Sequence, residues 1–159
     1  MQEEKTTMDI KEQAHTPLDT PGKTKGMSDT ARITSLVIGD VIVFLVFSAI
    51  GRRSHNEAAG LSSLMQIAIT AAPFAIGWFI VSPFVGAFKR GLEVRPGKMA
   101  QRTALSWVAS WPLALALRGI FVDHGVPPLT FAIITLITNI ILLLVWRVPF
   151  VWIVKARKR

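Results

Sequence analysis

Four long apolar segments, separated by short polar ones, dominate the hydrophobic pattern of this chain. They cover residues 33–51, 64–88, 103–122 and 129–146. Within them the only charged residues are Asp40 and Arg118. A helix of about 20 apolar residues spans roughly 30 Å of hydrocarbon. The pattern therefore predicts an all-α fold: a polytopic membrane protein with a four-transmembrane-helix bundle.

Polar segments flank the predicted bundle at both ends of the chain. Residues 1–31 are rich in Thr, Lys, Glu, Asp, Gly and Pro and lack an apolar period, so we expect a disordered tail. Residues 32–154 would form the transmembrane domain, and residues 155–159 a basic tail. Because so many polar residues precede the first apolar segment, that segment is expected to be a retained anchor and not a cleaved signal.

Two of the helix ends carry local signals. Ser28 and Thr30 are both residue types that cap a helix N-terminus, so the first helix is expected to begin near one of them. The last helix has two possible ends. It stops near Arg147, or it continues past Pro149 to about Val154.

Composition narrows the class of protein further. The chain has 159 residues, of which 51% are hydrophobic, and a net charge of +8. The separation of charged from apolar segments excludes a soluble enzyme, a nucleic-acid-binding domain and a secreted disulfide scaffold. No Cys is present, so disulfides, thiolate metal sites and covalently attached c-type haem are excluded. The apolar segments also contain no His that could ligate a haem, and we expect no cofactor and no metal.

The distribution of Lys and Arg predicts the topology. Most of these residues lie in the N-terminal tail, in the 89–102 connection and in the C-terminal segment, whereas the first loop has Arg52 and Arg53 and the last loop has none. The positive-inside rule then places both termini in the cytoplasm, N-in and C-in. The expected location is the cell (inner or plasma) membrane, with anionic lipids at the cytoplasmic face.

Polar side chains within the apolar segments are the first candidates for function. An acid such as Asp40 near the centre of a membrane helix costs about 2.5–3.5 kcal/mol to insert, so it is expected to face inward and to have a partner. It could form an ion or proton site, or a hydrogen bond that fixes helix register, with Asn139 as a donor at similar depth. Arg118 could reach the outer surface or serve a ligand, and Trp111, seven residues earlier, shares its face for a cation–π contact.

The predicted outer ends of the helices carry a second group of candidates. They are Arg52, Arg53, His55 and Glu57 on the first loop, Arg118 on the third helix, and Asp123 and His124 on the last loop. Guanidinium groups could bind a carboxylate, a phosphate or a quinone head group. The loops could instead be solvated segments that hold lipid phosphates. No catalytic set is apparent, and the spacing of the two His residues is not that of a metal site.

The stretch from Gly51 to Glu57, preceded by Asp40 in the helix, resembles the domain of unknown function 3054 family of small bacterial and archaeal membrane proteins. Further matching pairs are Pro73-Phe74, Gly77-Trp78, Trp111-Pro112, Leu117-Arg118 and Trp146-Arg147. The resemblance implies a compact four-helix membrane domain and no established reaction, substrate or partner. It also groups Asp40, Arg52, His55, Glu57 and Arg118 as one set.

Three hypotheses of function remain open. The first is a small binding or interaction protein whose outer Arg/His/Glu cluster engages a lipid, a quinone or a partner subunit. The second is a dimeric small-solute or proton-coupled transporter that uses Asp40 and Arg118. The third, an enzyme acting on lipids with His55 and Glu57 as acid and base, is the weakest because no nucleophile or metal set accompanies them.

Overall fold

The computed structural model describes residues 27–53 and 61–156, apart from the side chains of Arg53 and Leu61, and it contains helices and no strand in those ranges. The four long helices are α1 Asp29–Arg53, α2 Leu61–Val85, α3 Pro96–Arg118 and α4 Leu129–Ala156. Each is long and apolar enough to cross a membrane. This confirms the predicted all-α, multi-pass membrane architecture. Most of the predicted disordered tail and the last three residues lie outside the described ranges.

Both of the helix-end signals are realised in the structure. The hydroxyl of Ser28 accepts the N–H of Ala31 at 3.2 Å, which caps the start of α1 as predicted. At the other end of the chain, α4 continues through Pro149 to Ala156. Of the two ends that the sequence allowed, the longer helix is therefore correct, and Arg147 lies inside it.

The end of α2 lies three residues earlier than predicted, and Gly86 is the reason. Gly86 has a φ of 90°, the left-handed conformation that glycine adopts without penalty. The N–H of Gly86 donates to the carbonyl of Pro83 at 3.1 Å, and the N–H of Ala87 donates to that of Ser82 at 3.0 Å. These two bonds form a Schellman motif, so Gly86 ends the helix within the apolar segment 64–88.

The four helices follow one another around the bundle, and α1 also packs against α4. We call the end that carries residues 86–95, the start of α1 and the end of α4 the basic end. The opposite end, with residues 119–128, the end of α1 and the start of α2, is the loop end. Which end faces the cytoplasm stays a prediction.

Aromatic side chains fill the centre of the bundle. Phe44 of α1 contacts both Trp78 of α2 and Trp107 of α3, with ring centroids 6.4 and 5.5 Å apart. The outward faces of the helices are apolar as well, with exposed residues that include Ile38, Ile42, Ile76, Ile80, Ile137 and Ile141. Helices that are apolar on all sides are typical of membrane spans.

Candidate functional site

An ion pair between Asp40 of α1 and Arg147 of α4 lies buried inside the bundle. Arg147 donates from Nε to Oδ1 of Asp40 at 2.9 Å and from Nη2 to Oδ2 at 2.5 Å. Both side chains are completely inaccessible to solvent. The two-pronged geometry matches the guanidinium fork to the carboxylate. Asp40 therefore has the inward orientation and the partner that its depth demands.

Further contacts complete the surroundings of this pair. The indole N–H of Trp78 in α2 donates to Oδ2 of Asp40 at 2.9 Å. Nη1 of Arg147 donates to the carbonyl of Ala87 at 3.0 Å. The guanidinium also lies 5.0 Å from the ring centroid of Trp78 and 4.8 Å from that of Phe88. We call Asp40, Trp78 and Arg147 the core network, which joins α1, α2 and α4.

Two glycines beside the core network allow neighbouring helices of the bundle to approach closely. A Cβ on Gly39 would overlap the indole ring of Trp146, so only glycine lets the ring lie directly against α1. A Cβ on Gly77 would lie 3.0 Å from the backbone of Ala114 in α3. Gly39 and Gly77 each directly precede a network residue in the sequence. Close helix contact at small residues is a general feature of membrane bundles.

Arg147 is the buried polar residue that the sequence interpretation missed, because it lies just beyond the last apolar segment, among the cations of the C-terminal segment. The signal in the sequence is the spacing of a stripe of residues along α4, which the structure shows to be buried and which continues beyond the last apolar segment. Its members are Ala132, Thr135, Asn139, Leu143, Arg147, Phe150 and Val154. Steps of three and four residues keep them on one helix face. The position of Arg147 on that inward face predicts a buried partner, and Asp40 is the only acid within the four apolar segments of the sequence.

Asn139 and Trp111 both have partners different from those predicted. The side-chain amide of Asn139 donates to the carbonyl of Thr135 in its own helix at 3.0 Å and not to Asp40. The indole N–H of Trp111 donates to the carbonyl of Ala132 at 3.0 Å and to the hydroxyl of Thr135 at 3.3 Å. It thereby joins α3 to α4 instead of stacking on Arg118. Sequence spacing does not identify the neighbours across the helix interface.

A second ion pair lies at the loop end. Arg118 binds both carboxylate oxygens of Asp123 at 2.9 Å, from Nε and from Nη2. Its guanidinium carbon lies 4.4 Å from the ring centroid of Phe131 and 6.0 Å from that of Phe74. Asp40 and Arg118 each have their own partner, so the structure does not bring these two residues together, and the resemblance's grouping of them in one set is not realised.

The Arg118–Asp123 pair closes an unusual turn. Residues Gly119–Asp123 form a π-helical turn, and His124 after it has a φ of 50°. The N–H of Gly125 donates back to the carbonyl of Gly119 at 3.0 Å. A Cβ on Gly119 would lie 2.7 Å from the carbonyl oxygen of Gly125. π-helical turns and left-handed non-glycine residues are both enriched at functional sites.

This turn forms one wall of an apolar groove between α3 and α4, which we call the loop-end groove. It has a volume of about 750 Å³. The residues that line it are Trp111, Leu115, Ala116, Gly119, Ile120, Gly125, Val126, Pro127, Leu129 and Ala132. The Trp111 hydrogen bonds to α4 and the Arg118–Asp123 pair therefore fix the two helices and the turn that shape it.

The predicted outer residues of the first loop lie at the edge of the described residues or outside them. Arg52 is half-buried at the end of α1. The side chain of Arg53, and His55 and Glu57 entirely, lie outside the described residues. Within residues 27–53 and 61–156 no three His, Cys, Asp or Glu side chains are grouped as metal ligands. The Arg/His/Glu cluster of the first loop therefore stays a prediction.

Comparison with known proteins places these features in a family. A family model described as "Protein of unknown function (DUF3054)" matches residues 37–150. The matched range contains the whole core network, the Arg118–Asp123 pair and the loop-end groove. No curated protein and no solved structure matches the chain.

Proposed function

This chain belongs to the DUF3054 family of proteins of unknown function, and on that premise we propose that it binds a membrane amphiphile, a lipid or a quinone, in the loop-end groove. It would do so as a multi-pass protein of the cell membrane, with the loop end facing outward. In this proposal the core network holds the helices in place, and the ligand chemistry belongs to the loop end.

The observation that carries the proposal is an apolar groove directly beside a polar turn. Its volume of about 750 Å³ falls in the range of ligand sites, about 300–1,000 Å³. The groove suits an acyl or isoprenoid chain, because apolar side chains dominate its lining. Arg118, Asp123 and His124 belong to the adjoining helix end and turn, where a polar head group would lie.

The transporter hypothesis receives less support from the same geometry. Asp40 and Arg118 would be its working charges, but Asp40 is paired with Arg147 and Arg118 with Asp123. Both oxygens of the Asp40 carboxylate already accept hydrogen bonds. A transported ion or proton would have to displace partners within a completely buried site. A binding protein requires no such rearrangement.

The test is native mass spectrometry of the full chain released from lipid nanodiscs prepared from cell membranes. Ala116 lines the groove, so Ala116→Trp would fill it. Ala109→Trp is the matched control, because Ala109 is an exposed alanine on the same helix two turns away and outside the groove lining. We expect a retained lipid or quinone mass on the wild-type protein and on the control. The Ala116→Trp variant should bind at least about tenfold more weakly, or roughly 1.4 kcal/mol.

Each other result would overturn the proposal in a specific way. Equal retention by both variants would remove the groove as the binding site. A second copy of the chain or another polypeptide in place of the small molecule, lost in Ala116→Trp, would show that the groove seats a partner subunit. A bare wild-type monomer would contradict binding of any tightly held amphiphile.

A further inference from the structure

A cavity surrounded by cations lies at the basic end, opposite to the loop-end groove. Its volume is about 490 Å³. The lining residues are Lys89, Arg90, Gly91, Leu92, Arg95, Lys98, Gln101 and Arg102. Five of these eight residues are cationic, and none is acidic. We call this the basic cavity.

Most of the positive charge around the basic cavity is not neutralised by the side chains of the described residues. Arg90 pairs with Asp29, and Arg102 donates to the carbonyl of Val85 at 3.0 Å. The other three cations have no ion-pair partner within residues 27–53 and 61–156; they are Lys89, Arg95 and Lys98. The acid nearest to them in the sequence, Glu93, accepts the backbone N–H of Gly91 at 2.8 Å. Among the residues that the structure describes, the cavity therefore has more cations than acids to pair with them.

The backbone adds positive potential at the same place. Helix α3 begins at Pro96, and its N-cap residue, Arg95, makes no side-chain capping bond. The first N–H groups of a helix lack intrahelical partners. Together with the helix dipole they attract anions. Arg95 and Lys98 at this helix start both line the cavity, so the positive end of the helix dipole lies beside the cationic side chains.

Buried contacts hold the walls of the basic cavity in place. Leu92 packs into the core at this end, with 7% of its surface exposed. Arg147 of the core network donates to the carbonyl of Ala87, and Arg32 of α1 donates to that of Phe88 at 3.0 Å. The connection that bears Lys89 is thus fastened to α1 and α4. A cavity that is already formed loses less entropy when it binds a ligand.

We infer that the basic cavity binds a phosphate group. Lys and Arg side chains and an open helix N-terminus are the donors that proteins use for phosphate. The group could belong to the head of an anionic lipid or to free phosphate in solution. This site lies at the opposite end of the bundle from the loop-end groove, and the inference is independent of the proposed amphiphile.

The first arm of the test measures lipid binding. The full chain is placed in nanodiscs of phosphatidylcholine with phosphatidylglycerol, and retained phosphatidylglycerol is counted by native mass spectrometry. The variant is Arg95→Gln with Lys98→Gln. Lys155→Gln is the matched control, because Lys155 is an exposed cation near the end of α4 and outside the cavity lining. Each charge removed should weaken binding about fivefold, so the double variant should lose roughly 25-fold, whereas the control should retain the wild-type affinity.

The second arm separates a lipid head group from free phosphate. In nanodiscs of phosphatidylcholine alone, inorganic phosphate is titrated while the unfolding temperature is followed. A rise that disappears in the double variant but not in Lys155→Gln supports the site with free phosphate as its source, whereas selective loss of phosphatidylglycerol supports a lipid source. The inference is overturned if neither ligand binds, or if the double variant and the control respond alike. The changed side chains are exposed, so both variants should have the wild-type unfolding temperature without ligand.

Discussion

The two Arg–Asp pairs of this protein have the same bidentate geometry and very different surroundings. Asp40 and Arg147 are 107 residues apart in sequence, join α1 to α4 and have side chains 0% exposed. Arg118 and Asp123 are five residues apart, and their side chains are 15% and 29% exposed. The first pair fixes the arrangement of the helices, whereas the second closes one local turn.

Exposure decides how much each pair matters to stability. An ion pair that water can still reach contributes less, about 0–1 kcal/mol for a pair at the surface, because solvent competes for both charges. In a buried pair the attraction mainly offsets desolvation. Removal of one partner therefore costs about 3–5 kcal/mol, because a charge is left buried and unpaired. Two contacts that look alike in geometry should thus respond very differently to the same mutation.

The largest loss of stability is expected from Arg147→Met. This change keeps an apolar stem but leaves the Asp40 carboxylate buried without its cation, at a cost of about 3–5 kcal/mol. The measurement is denaturant unfolding in a mild detergent, followed by tryptophan fluorescence. Arg118→Met is the matched control, since it removes the same side chain from the accessible pair. Equal unfolding midpoints for the two variants would refute the claim that the buried pair matters more to stability than the accessible pair.

An intermediate loss of stability is expected from Trp78→Phe. Phenylalanine retains an aromatic ring but loses the N–H that donates to Asp40 at 2.9 Å. A buried acceptor that loses one donor costs about 1–3 kcal/mol. Trp107→Phe is a suitable comparison, because its indole N–H donates to a backbone carbonyl at 3.1 Å and not to a carboxylate. If Trp78→Phe destabilises the protein less than Trp107→Phe does, the charge-assisted bond has no special weight.

The smallest effect on stability is expected from Asp123→Asn. Only the accessible pair is weakened, so the free energy of unfolding should fall by less than about 1 kcal/mol. Retention of the amphiphile in native mass spectra should nevertheless decrease, because the turn that walls the groove loses its closure. An unfolding cost comparable to that of Arg147→Met would show that the loop end also holds the bundle together.

The helices were predictable because bilayer thickness imposes a length on every apolar segment. Asp40 was predictable as an inward-facing residue for the same reason, since an acid in hydrocarbon needs a partner. The end of α2 was not predictable, because Pro and Gly, here Pro83 and Gly86, are tolerated within membrane helices. Only the backbone conformation of Gly86 shows that it ends the helix.

The partner of Asp40 could not be identified from the apolar segments alone. Arg147 follows directly on the last of them, where basic residues usually mark the membrane surface. What places it inside the bundle is the continuation of α4 past Pro149 and its position on the buried stripe. The hydrogen-bond partners of Trp111 and Asn139 depend on helix rotation and crossing geometry, which sequence spacing does not specify.

The most direct test of this account is a pair of double-mutant cycles in one detergent. One cycle combines Asp40→Asn with Arg147→Gln, and the other combines Asp123→Asn with Arg118→Gln. Coupling energies between contacting residues reach about 3 kcal/mol. The account predicts more than about 2 kcal/mol for the buried pair and less than about 1 kcal/mol for the accessible pair. Equal coupling energies, or a larger one at the loop end, would contradict the claim that the buried pair fixes the arrangement of α1 and α4, whereas the accessible pair closes only a local turn.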